Sequence, residues 1–335
     1  MLSNKCYNYC ALCWVVKVML IKKIVVYGGL ITTLAAGLKI YNENKHYNHF
    51  IKEIERHETS NFHDSEIVAH RGFSSLYVEN SMEAVTNAFD SCCVDEVEID
   101  IRLTKDKEIV LMHNKLINLN CNGSGFVENK TLEELKEYRY RNSDFIMPNE
   151  DYPDKTLIEN RNEQNLRNVS QIITLEELLN NALYDKTLII DVKINNNIDD
   201  MVLELSDILS SYDGNLNIRI QSTNEEFLQK MKLLHPNYGY QIVISKKKHL
   251  SYINSNYDAI VIKYSLITDE IVEQCIKDNK EVYVWTINTY EQYEEVREEL
   301  DETIDYVKIV SDSPDVMCYL NNCSDKQLKK LKEKK

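Results

Sequence analysis

The sequence is poor in glycine and proline, and this scarcity excludes several classes of protein. Only 8 glycines and 4 prolines occur among 335 residues, which excludes collagen-like chains and chains dominated by flexible or proline-rich linkers. Hydrophobic residues make up 43% of the chain and charged residues 28%, close to the average of globular proteins. The composition therefore indicates one large or two small folded domains with a sizeable core.

The chain also lacks an excess of positive charge. Its 39 lysines and arginines against 54 aspartates and glutamates give a formal net charge of −15 at pH 7. The region between the basic ends, residues 1–60 and 324–335, is more acidic still. Because such a region repels the phosphate backbone of nucleic acids, we expect no nucleic-acid partner.

The nine cysteines lack the paired CxxC arrangement of a zinc site. Cys6, Cys10 and Cys13 lie near the N-terminus, Cys92 and Cys93 are adjacent, and the others are scattered. We interpret them as buried or tail thiols rather than as a disulfide framework. The N-terminal group is also compatible with lipidation beside a membrane.

Long hydrophobic runs are absent except near the N-terminus, where residues 24–38 carry no charge and have lysines on both sides. A helix of this length spans only about 22 Å, short of a hydrocarbon core of about 30 Å, but flanking lysines can snorkel. We interpret residues 24–40 as a transmembrane anchor. A cleaved signal segment is the alternative, because residues 34–37 are small enough for a cleavage site.

The order of segments predicts a membrane-anchored, extracytoplasmic domain. Basic residues in the N-terminal tail, residues 1–23, place that tail in the cytoplasm by the positive-inside rule. Residues 41–64 are polar and are interpreted as a stalk, residues 65–323 as the main domain and residues 324–335 as a basic tail. If the hydrophobic segment is cleaved, the domain is secreted.

After residue 64, short β-branched runs alternate with amphipathic stretches, which is typical of parallel βα units. The predicted strands are Glu66–Ala69, Val94–Leu103, Thr187–Lys193, Asn217–Gln221, Gly239–Ile244, Ala259–Ile262, Glu281–Ile287 and Tyr306–Val310. Eight such units predict an α/β fold, a (β/α)8 TIM barrel with its active site at the C-terminal ends of the strands. A doubly wound sheet is the alternative, but no GxGxxG follows the first strand.

Two local features refine this prediction. The stretch 105–171 is too long for a plain βα unit, so we expect a small insertion after the second strand, with a short strand at Glu108–Met112 and a helix at Leu132–Tyr138. Before it, Asn80 followed by Glu83 predicts the N-cap of the first helix.

Polar side chains gather where the predicted strands end. The set comprises two histidines, three carboxylates, an arginine and a lysine: His70, His113, Glu98, Asp100, Asp191, Arg71 and Lys193. Three carboxylates suit a hard divalent cation, Ca²⁺ or Mg²⁺, and the two cationic side chains suit a phosphate group. Two histidines can divide acid and base roles near neutral pH. The residues therefore indicate metal-assisted phosphodiester cleavage.

Several ordered motifs also carry a resemblance. They are IVAHRGFSSLYVENSMEAVTNAF, VEIDIRLTKDKEIVLMHN, NGSGFVENKTLEELK, ITLEELL, LIIDVK, VYVWTIN and IVSDSPD. Over roughly residues 65–320 the chain resembles the glycerophosphodiester phosphodiesterase family, whose fold is a TIM barrel with an insertion after the second strand.

The resemblance implies a role for each matching residue. His70 and His113 would act as general acid and base. The metal ligands would be Glu98, Asp100 and Asp191. The phosphate-binding or substrate-binding residues would be Arg71, Lys193, Glu79, Asn80 and Trp285. The products would be an alcohol and sn-glycerol 3-phosphate.

Two positions depart from the family pattern. The family usually has Asp where this chain has Asn114, and Glu where it has Asp191. The shorter Asp191 affects the metal distance, and the uncharged Asn114 affects the pKa of His113. Alternative functions are a lysophospholipase D, a glycerophosphate-polymer hydrolase, and a non-catalytic barrel that binds phosphorylated headgroups.

Overall fold

A computed structural model of the protein describes residues 65–141, 169–182, 184–194, 197–300 and 303–321. The predicted tail, anchor, stalk and basic tail lie outside these residues. Within the described ranges, no helix has the length and apolar character needed to cross a membrane.

Eight parallel strands close into a barrel, as predicted. They are β1 (Ile67–Ala69), β2 (Glu96–Leu103), β6 (Thr187–Val192), β7 (Asn217–Ser222), β8 (Gly239–Ile244), β9 (Ala259–Lys263), β10 (Glu281–Trp285) and β11 (Val307–Ser311). Each strand pairs with the next in this order, and β1 pairs with both β2 and β11, which closes the circle. The (β/α)8 TIM barrel is confirmed.

The helices follow the strands around the outside of the barrel. They are α1 (Met82–Asp90), α2 (Leu132–Lys136), α3 (Leu175–Asn181), α4 (Ile198–Ser211), α5 (Glu225–Leu234), α6 (Asp269–Lys277), α7 (Tyr290–Glu299) and α8 (Pro314–Asn321). Threonine capping boxes begin α2, α3 and α7. The N-cap predicted for α1 is wrong by one residue, because Ser81 accepts from the Ala84 N–H while the side chain of Asn80 is held by Asp100.

Successive side chains along each strand point alternately into the barrel interior and towards the helix layer. One buried cluster inside the barrel contains Val68, Ile189, Val243, Ala259, Val261, Tyr283 and Val310. Residues two positions farther along the same strands point to the same side and therefore reach the barrel mouth. The apolar interior thus supports a polar layer at the C-terminal ends of the strands.

The opposite end of the barrel holds a network of ion pairs. Lys308 Nζ lies 2.6 Å from Glu66, 2.7 Å from Glu96 and 2.7 Å from Glu281. The hydroxyl of the buried Tyr283 donates to Glu96 at 2.9 Å. Lys308 therefore pairs with all three glutamates at this end of the barrel.

The insertion after β2 has its own small core. It contains β3 (Ile109–Leu111), antiparallel to β2, and an antiparallel pair of β4 (Arg139–Arg141) and β5 (Val169–Gln171). Its buried cluster comprises Val78, Val110, Met112, Ile117, Cys121, Val127, Leu135, Tyr140 and Ile172. The short strand and helix predicted in this insertion are present, whereas the β4–β5 pair was not expected.

The interpretation of all cysteines as unpaired thiols is wrong for two of them. Cys93, just before β2, forms a disulfide with Cys318 of α8, with a Cα–Cα distance of 5.7 Å. This distance is typical of disulfides. Residues 225 positions apart in sequence become neighbours because the closing barrel brings its last helix beside its first βα unit.

Candidate active site

The turn after β1 places His70 and Arg71 at the barrel mouth. Arg71 and Gly72 have positive φ values of 58° and 76°. A Cβ at position 72 would lie 2.6 Å from the backbone carbon of Ala84, so this position requires glycine. The turn is fixed by Glu98, whose side chain accepts from the Arg71 N–H at 2.8 Å.

Three carboxylates meet beside this turn. Glu98 and Asp100 lie on β2, and Asp100 is opposite Asp191 of β6 in the strand register. All three are buried, with exposures of 3%, 0% and 5%. One oxygen from each lies within 4.8 Å of the other two. The predicted metal ligands are therefore brought together.

The donor set fits a divalent cation. Asp191 Oδ2 accepts from Lys193 at 2.6 Å and from Gln221 at 3.0 Å, whereas its buried Oδ1 has no hydrogen-bond partner. A buried carboxylate oxygen without a donor is costly unless a cation binds it. The three carboxylates would hold Ca²⁺ or Mg²⁺, since both prefer oxygen ligands.

The carboxylates respond differently to their surroundings. Burial, together with the charge of Asp100, raises the pKa of Glu98 to about 8. Burial alone would raise the pKa of Asp100, but Lys193 and Arg71 outweigh it and hold that pKa well below its ordinary value. The cluster thus carries an ionised carboxylate beside one that readily takes a proton.

Arg71 and Lys193 each pair with a different oxygen of Asp100. Arg71 Nη1 donates to Glu79 at 2.8 Å, and its Nε lies 3.2 Å from Asp100. Lys193 Nζ lies 2.9 Å from Asp100 and 2.6 Å from Asp191. Their side chains remain 18% and 21% exposed, so both predicted phosphate-binding residues reach the solvent-facing side of the cluster.

His70 is held by a carboxylate that is not among the predicted site residues. Its Nδ1 lies 2.6 Å from Asp312 Oδ1, and Asp312 also accepts from Asn288 at 2.5 Å and from Ser74 at 3.0 Å. Burial and Arg71 lower the pKa of His70, but Asp312 and Glu98 outweigh them, so the pKa is raised. The signal in the sequence is the IVSDSPD motif at the end of β11.

His113 lies in a different environment, after β3. Burial, with further contributions from Arg71 and Lys193, lowers its pKa to about 4. Its ring contacts the Asn114 side chain, with Oδ1 at 3.3 Å from His113 Nδ1. The pKa values of the two histidines are therefore shifted in opposite directions, because only His70 is paired with a carboxylate.

A chain of amide side chains connects the insertion to Arg71. Asn114 Nδ2 donates to Asn120 Oδ1, and Asn120 Nδ2 donates to Glu79 Oε1 at 2.9 Å. The other oxygen of Glu79 accepts from Arg71. Asn120 is almost fully buried and is not among the predicted site residues. No local sequence pattern identifies it, since its partner Glu79 is 41 positions away.

Of the remaining predicted residues, Asn80 contacts the cluster, whereas Trp285 lies on a strand across the barrel from it. The side-chain amide of Asn80 makes two hydrogen bonds with Asp100. Its Nδ2 donates to the Asp100 carboxylate at 3.0 Å, and its Oδ1 accepts from the Asp100 backbone N–H at 2.8 Å. Asn80 thus holds one carboxylate of the cluster in place. Trp285 is half-buried at the end of β10, where its Nε1 donates to the Val261 carbonyl at 3.1 Å.

These features define a class of enzyme: a (β/α)8 barrel that processes a phosphate ester at the C-terminal ends of its strands. The family model described as glycerophosphoryl diester phosphodiesterase family matches residues 70–332, most of the chain. The protein therefore belongs to the glycerophosphoryl diester phosphodiesterase family.

Individual relatives agree with this assignment. The glycerophosphodiester phosphodiesterase of Caldanaerobacter subterraneus subsp. tengcongensis is 25% identical over 261 residues, covering 76% of this chain and 96% of that protein. The glycerophosphodiester phosphodiesterase of Bacillus altitudinis is 42% identical over 72 residues, which cover 22% of this chain and 29% of that protein.

Solved structures share the fold. An Oleispira antarctica phosphodiesterase in complex with the product sn-glycerol-3-phosphate has a TM-score of 0.60 at 19% identity, covering 76% of this chain and 96% of the other. A glycerophosphodiester phosphodiesterase from Parabacteroides distasonis has a TM-score of 0.59 at 17% identity, covering 78% and 98%. At this identity the similarity shows the barrel fold.

Proposed function

We propose that the protein is a metal-dependent hydrolase that converts glycerophosphodiesters to an alcohol and sn-glycerol 3-phosphate. The observation that carries the proposal is the cluster of Glu98, Asp100 and Asp191 at the mouth, with one buried oxygen of Asp191 unpartnered. Family membership supports the reaction class. A bound divalent cation would polarise a phosphoryl oxygen as a Lewis acid.

Arg71 and Lys193 bind the phosphate in this proposal. The planar guanidinium offers forked donors, and the ammonium acts as a point charge, so the two neutralise separate phosphate oxygens. The lower exposure of the carboxylates than of these cations supports this assignment, because the phosphate approaches from the mouth.

The two histidines divide the proton transfers. His113, neutral at pH 7 because its pKa is about 4, accepts the proton of the attacking oxygen. His70, whose pKa is raised, donates a proton to the departing alcohol oxygen. The separation of the two pKa values supports this division, since an acid and a base must hold opposite protonation states at one pH.

The first test is release of glycerol 3-phosphate from glycerophosphocholine by the full chain, with Ca²⁺, Mg²⁺ or EDTA. Release that requires a metal and disappears in His70→Ala is expected. Lysophosphatidylcholine assayed in parallel separates the lysophospholipase D alternative. A folded protein that releases no glycerol 3-phosphate, whether Ca²⁺ or Mg²⁺ is added, contradicts the proposal.

We also propose that the barrel functions outside the cytoplasm, anchored through residues 24–40. The Cys93–Cys318 disulfide supports this location, because disulfides persist in oxidising compartments. Protease treatment of intact cells should degrade the barrel, whereas a cytoplasmic control protein survives. A barrel that is protected until the cells are lysed contradicts the proposal.

A further inference from the structure

In the part of the chain that the structure describes, lysines without an ion pair or a hydrogen bond through Nζ are concentrated on one edge of the barrel mouth. Sixteen lysines occur in the described ranges, and ten of them have an ion pair or a hydrogen bond through Nζ. In these ranges, six have neither: Lys105, Lys115, Lys246, Lys247, Lys248 and Lys263. Three of the six follow β8, and a fourth, Lys263, is the last residue of β9.

The four lysines share one surface, named here the basic rim: Lys246, Lys247, Lys248 and Lys263. Ile244 of β8 is opposite Ile262 of β9, so the chain leaves both strands at the same level. Neighbouring strands lie about 4.8 Å apart, which brings the segment after β8 beside Lys263. All four lysines are exposed, and residues 245–257 and 263–268 contain no acidic residue.

The basic rim adjoins the substrate side of the barrel. Lys263 is opposite Trp285 in the register of β9 and β10. Val261 and Tyr283, two positions earlier, belong to the interior cluster, so Lys263 and Trp285 point to the same side at the mouth. The carboxylate cluster lies on β2 and β6, across the circle of strands from β9 and β10.

We propose that the basic rim binds a second negative charge on the substrate, on the group beyond the scissile phosphate. The preferred substrates are then glycerophosphodiesters whose alcohol portion carries its own phosphate or carboxylate, rather than a cationic alcohol such as choline. This inference rests on the proposed function. An unpaired basic cluster in a chain of net charge −15 attracts anions, and the mutual repulsion of adjacent lysines is relieved when an anion binds.

The test compares two substrates that differ by one phosphate, glycerophosphoglycerol and its derivative phosphorylated on the terminal glycerol. The full chain should hydrolyse the phosphorylated substrate with the lower KM. In Lys247→Ser/Lys248→Ser that KM should rise about fivefold, with kcat and the hydrolysis of unphosphorylated glycerophosphoglycerol little changed. Lys263→Gln should act in the same direction. The preference should weaken as salt is raised, because exposed charges are screened.

A matched control separates position from net charge. Lys230→Ser/Lys277→Ser removes two lysines away from the rim, on α5 and α6, each paired with an acidic side chain, and should leave the substrate preference intact. If the rim and control variants lose the preference for the phosphorylated substrate to the same extent, the proposal is overturned. A wild-type protein that hydrolyses both substrates equally also overturns it. A rim variant that loses binding to phosphatidylglycerol vesicles but keeps its substrate preference makes the rim a membrane contact instead.

Binding measured without turnover tests anion binding by the basic rim separately from the proposed hydrolase activity. In His70→Ala, calorimetry should detect tighter binding of the phosphorylated substrate than of glycerophosphoglycerol itself, and Lys247→Ser/Lys248→Ser should remove most of that difference. If the wild type hydrolyses neither substrate but the binding difference is present, the proposed function fails and the rim stands. If hydrolysis occurs without a binding difference, only the rim fails.

Discussion

Two histidines of the same chemical type have pKa values that their surroundings shift in opposite directions. Asp312 contacts His70 through a short hydrogen bond. Burial raises the pKa of Asp312, but His70 and Arg71 lower it by more, so that pKa is about 2. His113 has an amide, Asn114, where a carboxylate would raise its pKa. The carboxylate of Asp312 beside His70 and the amide of Asn114 beside His113 thus contribute to the difference between the two pKa values.

Asp312→Asn should lower kcat and move the alkaline limb of the pH profile to lower pH. Asp312 raises the pKa of His70, so removing its charge lowers that pKa and deprotonates the general acid earlier as pH rises. The profile of kcat/KM against pH measures the shift. Asp207→Asn, an exposed change on α4, is the matched control. An unchanged alkaline limb would show that His70 is not the acid.

Asn120→Asp should raise KM about tenfold or more, because a second carboxylate would face Glu79 and displace the side chain that holds Arg71. Inhibition by inorganic phosphate should weaken in parallel, while metal affinity is retained. Asn118→Asp, an exposed neighbour, should have no effect. Loss of thermal stability with an unchanged KM would indicate a structural role only.

At the scale of elements, β2 and β6 build the candidate metal site because their registers coincide. Glu98 and Asp100 share a face by their two-residue spacing, and pairing of Asp100 with Asp191 brings the third carboxylate alongside. The short strand β3 then places His113, and the turn after β1 places His70. Each element contributes one or two groups, so the site forms only when the strands are aligned.

Metal binding should become stronger as pH rises through about 8. The raised pKa of Glu98 means that a proton competes with the cation below that pH, and the proton leaves when the cation binds. The increase in Tm caused by Ca²⁺ or Mg²⁺ should therefore be larger at pH 9 than at pH 6. Asp191→Asn should abolish most of the increase. An increase independent of pH would contradict metal binding at Glu98.

At the scale of the whole molecule, the two ends of the barrel sequence are joined three times. β1 pairs with β11, the Asn321 amide donates to the Ser65 carbonyl at 2.9 Å, and Cys93 is bonded to Cys318. These contacts hold α8 against the first βα unit. Since β11 also carries the loop of Asp312, closure of the barrel completes the environment of His70.

Cys318→Ser should lower the free energy of unfolding by about 2–4 kcal/mol, because the disulfide restricts a long loop in the unfolded chain. Dithiothreitol should lower the Tm of the wild type by a similar amount. It should have no effect on the variant, which serves as its own control. A wild-type Tm that does not respond to the reductant would show that the two cysteines are not bonded in solution.

The local pattern of the sequence predicts most of the fold and the primary site residues. Strand and helix periodicities depend on neighbouring residues only, so all eight barrel strands are found within a few positions of their predicted bounds. His70, Asp100 and Asp191 follow from the same pattern, because a barrel gathers the residues at its strand ends. Helix α8 and the β4–β5 pair were not predicted.

Tertiary structure alone decides the partners that lie far apart in the chain. His70 meets Asp312 across 242 positions, and Cys93 meets Cys318 across 225. The grouping of four unpaired lysines likewise depends on the register of β8 and β9. No local periodicity encodes these pairs, since they form only when the closing barrel and the packed insertion fix which distant side chains face each other.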